Sequence, residues 1–275
     1  MSEPTPIPEG SYVRTTNGLD LHYHDMGTGK PVVFIHGSGP GASGHSNFKG
    51  NYRTFVEHGH RVVVFDLPGY GLSSKPENVE YVLEFFVQAL KELIDQLGIG
   101  PCALVGNSLG GAIAIKYTLD RPDAVTRLVL MGPGGLEERE RYFQMEGIQR
   151  MMQDFAMDAL DREGMRRLLS ILVYDPKYVT GELLSERVSV CANQPKTVLS
   201  TMRVPDLSGR LSEITCPVLG FWGSNDRFCP VEGALKVLRE CADARFLLIN
   251  RCGHWVMVEH CELFNRTCLE FLADE

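Results

Sequence analysis

The sequence has no apolar run approaching the roughly 20 residues needed to span a bilayer. Its stretches at 62–65 and 103–105 are a handful of residues long, so no membrane-spanning segment is expected. Positive charge is also in short supply. Lys and Arg number 27 against 35 Asp and Glu, leaving a net charge of −8. Without a basic field to attract phosphates, nucleic acid is not expected as a partner, and a small-molecule or protein ligand is. The eight cysteines, at 102, 191, 216, 229, 241, 252, 261 and 268, include no C-x-x-C spacing. Neither a zinc site nor a redox dithiol is indicated, and reduced thiols in the cytosol fit best. Residues 1–10 lack the basic and apolar regions of a signal peptide, which adds to the cytoplasmic expectation. What is present, 44% hydrophobic and 23% charged residues over 275 positions, is an ordinary globular composition. That length suits two domains or one domain carrying an insertion.

Short β-branched runs bounded by turn residues predict strands at 12–15, 19–24, 31–35, 61–65, 101–106 and 125–131. The runs at 62–65 and 103–105 are continuously apolar, as strands buried on both faces of a parallel sheet would be. Residues 81–97 carry an apolar stripe at helical spacing and are followed by Gly98. The alternation predicts an α/β fold with right-handed crossovers. After Met131 the texture changes: Gly132-Pro133-Gly134-Gly135 breaks the pattern, and the chain to about 210 is helix-like, with charges and many methionines. We expect a core over 1–134 and 211–275, interrupted by a helical lid over 135–210. Strands at 218–222 and 244–249 and helices over 231–240 and 261–271 resume the alternation, and no internal repeat or low-complexity segment interrupts it.

Gly106-Asn107-Ser108-Leu109-Gly110 is a G-x-S-x-G sequence set between an apolar strand and a helix-like stretch, 111–119. That is the context of a nucleophile elbow, a crowded turn that tolerates only small neighbours. A serine hydroxyl is a poor nucleophile at neutral pH and needs a base, which in turn needs an orienting acid. Asp226 and His254 follow the last two expected strands in the order this fold uses. An Asx turn and a surface histidine are their plainer readings. The loop His36-Gly37-Ser38-Gly39-Pro40-Gly41 follows the third strand, where a glycine-rich turn can aim a backbone N–H at the elbow; Leu109 N–H would be the second donor. Its alternative is a merely flexible loop. His22, His24, His45, His58, His60 and His260 precede the nucleophile or sit on helix-like segments and compete poorly as the base.

Taken together, these residues resemble the meta-cleavage product hydrolases, C–C bond hydrolases of aromatic catabolism within the α/β-hydrolase superfamily. The likeness spans nearly the whole chain. It rests on Ser38-Gly39-Pro40-Gly41-Ala42 with Ser46-Asn47, on 106–111, on Leu130-Met131-Gly132-Pro133-Gly134-Gly135, and on Met145-Glu146-Gly147-Ile148. Trp222-Gly223 with Asn225-Asp226-Arg227-Phe228, and Cys252-Gly253-His254-Trp255, complete it.

The resemblance implies an α/β-hydrolase fold with a mostly parallel eight-stranded sheet flanked by helices. It further implies Ser108, Asp226 and His254 as the triad, an oxyanion hole at Ser38 and Leu109, and a pocket lined by Gly39, Asn47, Asn107, Arg187, Trp255, Leu172 and Val258. Implied substrates are 2-hydroxy-6-oxo-2,4-dienoates, split by water into 2-hydroxypenta-2,4-dienoate and a carboxylic acid. No cofactor and no metal are implied, and relatives commonly assemble as dimers or larger homo-oligomers. From the residues alone Arg187 reads as a solvated charge, Asn107 as a turn residue and Trp255 as core packing. Leu172, Val258 and His45 depart from the aromatic residues of biphenyl-type members, and Val258 is shared with steroid-ring-cleavage members. These departures predict a distal substituent other than simple phenyl. A carboxylesterase or lactonase on the same fold, or a non-catalytic small-molecule receptor, are the rival readings.

Overall fold

A computed structural model of the chain describes residues 9–274. Residues 1–8, on which most of the signal-peptide reading rests, lie outside the described residues. One sheet holds β1 (Ser11–Arg14), β2 (Asp20–Met26), β3 (Pro31–Ile35), β4 (Arg61–Phe65), β5 (Cys102–Asn107), β6 (Val125–Met131), β7 (Val218–Gly223) and β8 (Ala244–Ile249). All eight predicted strands are there, within two residues of their expected ends. Their order is β1-β2-β4-β3-β5-β6-β7-β8. β2 runs antiparallel to β1 and β4, and the other neighbours are parallel. Residues 62–65 of β4 and all of β5 are buried, because helices cover both faces of the parallel part.

Before β6 the chain forms α1 (Gly44–Phe48), α2 (Tyr52–Glu57), α3 (Leu83–Gln96) and α4 (Leu109–Asp120). Between β6 and β7 it forms α5 (Arg139–Phe143), α6 (Glu146–Ala156), α7 (Arg162–Leu172), α8 (Gly181–Cys191) and α9 (Thr197–Ser200). Then come α10 (Gly233–Glu240), α11 (Val256–Glu259) and α12 (Cys261–Ala273). The short α1, α2 and α11 escape the periodicity reading, since four to six residues cannot show a helical stripe. A capping box starts α1: Ser43 Oγ accepts from Ser46 N–H while Ser46 Oγ accepts from Ser43 N–H. The α6 and α7 helices turn Met151, Phe155, Met165, Leu168, Leu169 and Leu172 inward. Lys49 at the end of α1 reaches Glu182 and Glu186 of α8, 2.9 Å each, and fastens α8 to the core. Among the described residues no helix is long and apolar enough to cross a membrane.

The sheet order reverses at β3: β4 lies on one side of it and β5 on the other. Loops leaving the carboxyl ends of two such strands diverge and open a crevice. Ile35 pairs with Gly106, so the turn after β3 and the elbow after β5 start side by side. Asp226 and His254 follow the adjoining β7 and β8, which brings four distant motifs to one edge.

Candidate active site

Ser108 occupies the turn from β5 into α4 with φ +56° and ψ −118°. A non-glycine residue there carries strain of about 1–3 kcal/mol and needs a frame that enforces it. Ser108 N–H donates to Met131 O at 3.0 Å, and its carbonyl accepts from Gly134 N–H at 2.9 Å and Ala112 N–H at 3.1 Å. The flanking glycines have a steric cause. A Cβ on Gly110 would stand 2.0 Å from Ile35 O, and one on Gly106 would stand 2.4 Å from Gly110 O. The turn projects Ser108 into a cavity at the first turn of α4, where unpaired N–H groups, Leu109's included, favour developing negative charge.

His254 Nδ1 lies 2.7 Å from Asp226 Oδ2, with the two side chains 3% and 1% exposed. The other oxygen, Oδ1, accepts from Phe228 N–H at 2.7 Å and Cys229 N–H at 3.0 Å. The carboxylate therefore makes an Asx-type turn with one oxygen and orients the histidine with the other. With Nδ1 donating to Asp226, Nε2 is left to accept a proton. His254 N–H also donates to Leu172 O at 2.7 Å, and Phe228 lies against the imidazole at 5.3 Å between ring centres. Glu259, which sequence reading missed, anchors this loop. Its Oε1 accepts from Gly253 N–H at 2.7 Å, and its Oε2 from Tyr174 N–H at 2.7 Å and Asp175 N–H at 3.2 Å. Burial raises its pKa.

Ser38 and Leu109 stand with Ser108 on one cavity wall. The loop bearing Ser38 is pinned rather than merely flexible. His36 Nδ1 donates to Gly37 O at 2.8 Å while its Nε2 accepts from Leu67 N–H at 3.0 Å. Complete burial pushes the His36 pKa down to about 4, which keeps it the neutral one-donor, one-acceptor ring this arrangement needs. Tyr70 hydroxyl donates to Ser38 O at 3.1 Å. Neither role was evident beforehand, since the motif draws the eye to its glycines.

On one side of Ser108 lies a small cavity of about 30 Å³, the more polar of the two that flank it, lined by Gly39, Asn47, Asn107, Leu172, Arg187, His254 and Trp255 among others. With Ser38 and Ser108, which also line it, nine residues named from the sequence converge here. Arg187 is fully buried. Its Nη2 donates to Asn47 Oδ1 at 2.6 Å and its Nη1 to Pro40 O at 3.4 Å, and the guanidinium sits 4.8 Å from the Trp255 ring centre. Gly41 (φ +69°) permits this approach, because a Cβ there would stand 2.1 Å from Arg187 O. Arg187 makes no ion pair among the described residues; the adjacent Glu186 pairs with Lys49 and acts on the guanidinium only at longer range. Burial pushes its pKa down to about 10, still charged at neutral pH. Asn107 Nδ2 donates to Met131 O at 3.1 Å while its Oδ1 is buried without a hydrogen-bond partner.

On the other side lies an apolar cavity of about 120 Å³, walled by Tyr142, Ile148, Met151, Met152, Leu199, Met202 and Val204 from the segment between β6 and β7. Cys229 lines it beside the Ser108 hydroxyl, its thiol held protonated by complete burial. The residues singled out as distal markers lie elsewhere. Leu172 lines the polar cavity, Val258 lies within α11 and packs half-buried against the core, and His45 is buried with Nδ1 3.0 Å from Tyr52 Oη.

Residues 30–166 match the α/β-hydrolase fold family model. A 2-hydroxy-6-oxo-6-phenylhexa-2,4-dienoate hydrolase of Burkholderia cepacia is 38% identical over 263 residues, 92% of this chain and 91% of the relative. A 2-hydroxy-6-oxononadienedioate/2-hydroxy-6-oxononatrienedioate hydrolase of Comamonas testosteroni is 36% identical over the same shares. A crystal structure of a meta-cleavage product hydrolase from Pseudomonas fluorescens superposes with a TM-score of 0.85 at 30% identity, covering 96% of this chain and 97% of that one.

Proposed function

The chain belongs to the meta-cleavage product hydrolases of the α/β-hydrolase fold, and from that premise we propose that its two cavities hold the two ends of one 2-hydroxy-6-oxo-2,4-dienoate. The carboxylate docks on Arg187, with Asn47, Asn107, Gly39 and Trp255 shaping the polar end. The C6 carbonyl lies at Ser108, with the N–H groups of Ser38 and Leu109 receiving its oxygen. The C6 substituent fills the apolar end. Residues 135–210 act as a lid that supplies that end, over a core of 1–134 and 211–275.

Carbon is a poor leaving group, so the dienol is first converted to a ketone able to absorb the electrons released on cleavage. His254 takes the 2-hydroxyl proton and returns one to C5. Ser108 then supplies the nucleophile at C6, and the tetrahedral oxyanion is held by the two N–H donors, each typically worth about 10²- to 10³-fold in rate. The C5–C6 bond breaks, its electrons forming the 2-hydroxypenta-2,4-dienoate product, and C6 leaves as a carboxylic acid once water is incorporated. No cofactor enters this scheme.

The observation that carries this reading is Arg187: a buried cation with neutral protein partners is costly to keep, and a substrate carboxylate beside the nucleophile supplies the missing charge. Hydrolysis of a simple ester has no use for it. The test is kcat/KM across dienoates with methyl, phenyl, carboxyalkyl and fused-ring substituents, run beside simple esters. Dienoates are expected to lead; ester rates above all of them would establish an esterase instead. We also place the protein in the cytosol, because its eight cysteines are free. A homo-oligomer is expected as well, in keeping with Leu248 exposed on edge strand β8 and Leu235 and Leu238 exposed on α10. Sizing by light scattering checks that assembly.

A further inference from the structure

The loop bearing Ser38 is held from two sides. Upstream, His36 and Tyr70 fix it to the core. Downstream, its partners come from a distant part of the chain, α8 and the residues just beyond it. Gly41 N–H donates to the buried Gln194 Oε1 at 2.8 Å, across 153 positions of sequence, and Arg187 Nη1 donates to Pro40 O at a looser 3.4 Å. Gln194 follows the end of α8, and its own N–H donates to Cys191 O at 3.0 Å. Between the two anchors Ala42 N–H closes a turn on Gly39 O at 3.0 Å, so a displacement of Gly41 is passed back towards Ser38. The Gln194 side chain makes this single hydrogen bond, because its Nε2 is buried without a partner. Turning the amide over would set its N–H groups against the Gly41 N–H, so that contact fixes its orientation. A buried amide with half its hydrogen-bonding capacity unmet costs free energy that a methionine of the same length would not. What the amide supplies, and an apolar side chain could not, is the acceptor for Gly41.

We propose that Gln194 is a positioning residue for the oxyanion hole: by accepting from Gly41 N–H it seats the Ser38 amide beside Ser108 while α8 is docked. It does not touch the substrate. This rests on Ser38 N–H receiving the C6 oxygen, as proposed above, and it holds for ester as for C–C cleavage. Without the acceptor, Gly41 N–H is left buried and unpaired, and the loop shifts to satisfy it. A small displacement of a preorganised donor is enough to lower the rate substantially. Arg187 and Gln194 belong to one stretch of chain. The stretch that binds the substrate carboxylate therefore also completes the loop that stabilises the oxyanion.

The test sets Gln194→Met, which keeps the length and removes the acceptor, against Gln194→Glu, which keeps an acceptor oxygen. Two ligands separate the effects. An arylboronic acid bonds Ser108 Oγ through boron as the hydroxyl proton passes to His254, leaving a tetrahedral anion with one oxygen in the hole. The product 2-hydroxypenta-2,4-dienoate needs only the Arg187 end. Gln194→Met should weaken the boronic acid about 10-fold or more and lower kcat per titrated Ser108 by a similar factor. KM and the Kd of the product should stay within about twofold. Gln194→Glu should return both affected quantities to within about threefold of wild type. A merely structural role would lower Tm and the titratable fraction and leave kcat per site and the ratio of the two affinities unchanged. That result, an equal loss for both ligands, or a folded Gln194→Glu as poor as Gln194→Met would overturn the inference alone. Wild type that binds the boronic acid no tighter than the boron-free arene would overturn the placement of Ser108 and Ser38 beneath it.

Discussion

The two ends of the cavity are built to different standards. At the polar end Asn47, Asn107, Arg187, His254 and Trp255 are all buried, and each is held by hydrogen bonds or ring contacts to the sheet, to α1, to α8 or, for His254, to Asp226 in the loop after β7. At the apolar end Tyr142, Ile148, Met152, Met202 and Val204 are only half-buried, and three of the wall residues are methionines, whose unbranched side chains adapt their shape. The difference separates chemistry from selectivity. On the proposed reading, the end that would move protons and break the bond is held rigidly, while the end that would meet the variable part of the substrate is assembled from adaptable side chains between β6 and β7.

Substitutions can break or sharpen that contrast. The largest effect is expected for Ser108→Ala, which should lower release of the carboxylic acid product by about 10³-fold or more whatever the substituent. Next comes Arg187→Met, for which kcat/KM on dienoates should fall about 10²- to 10³-fold, as when one member of a buried charge pair is lost. Its Tm should hold or rise, because the unliganded protein sheds an unpaired buried cation. A drop of several degrees would show instead that Arg187 is needed for the fold.

Glu259→Gln should cost about tenfold in kcat with little change in KM, on every substrate alike, because one amide oxygen cannot replace two carboxylate oxygens on Gly253 and Tyr174. A loss confined to bulky substrates would move Glu259 from positioning His254 to shaping the distal end. The smallest effect belongs to Met202→Ala: a few-fold shift in the ratio of bulky to small substituents, with Tm nearly unchanged, since the side chain is half-buried. A uniform loss on all substituents would erase the distinction between the two ends.

The same contrast decides what could be read in the sequence. The strands and the elbow were legible because their causes are local: an apolar run bounded by turns, and glycines forced by contacts with the next turn and with β3. Asp226 and His254 were legible because chain order and strand ends place them. Arg187 was not legible from its own surroundings, since it sits on a helix of weak amphipathicity among Glu186 and Val188; only the family resemblance singled it out. Glu259 and His36 act through backbone groups that tertiary folding brings to them, and no local pattern marks such positions. The distal wall was missed for the same reason. Its residues are scattered over 142–204 and meet only because α5, α6 and the residues around α9 fold over Ser108.

The central claim is that this site selects a substrate by its carboxylate and then cuts carbon from carbon. Its most direct test is kcat/KM for one 2-hydroxy-6-oxo-2,4-dienoate as the free acid and as its C1 methyl ester, with products identified. We expect the free acid to be favoured by about 10²-fold or more, yielding 2-hydroxypenta-2,4-dienoate. Equal rates, or hydrolysis of the methyl ester in place of the C5–C6 bond, would contradict the account.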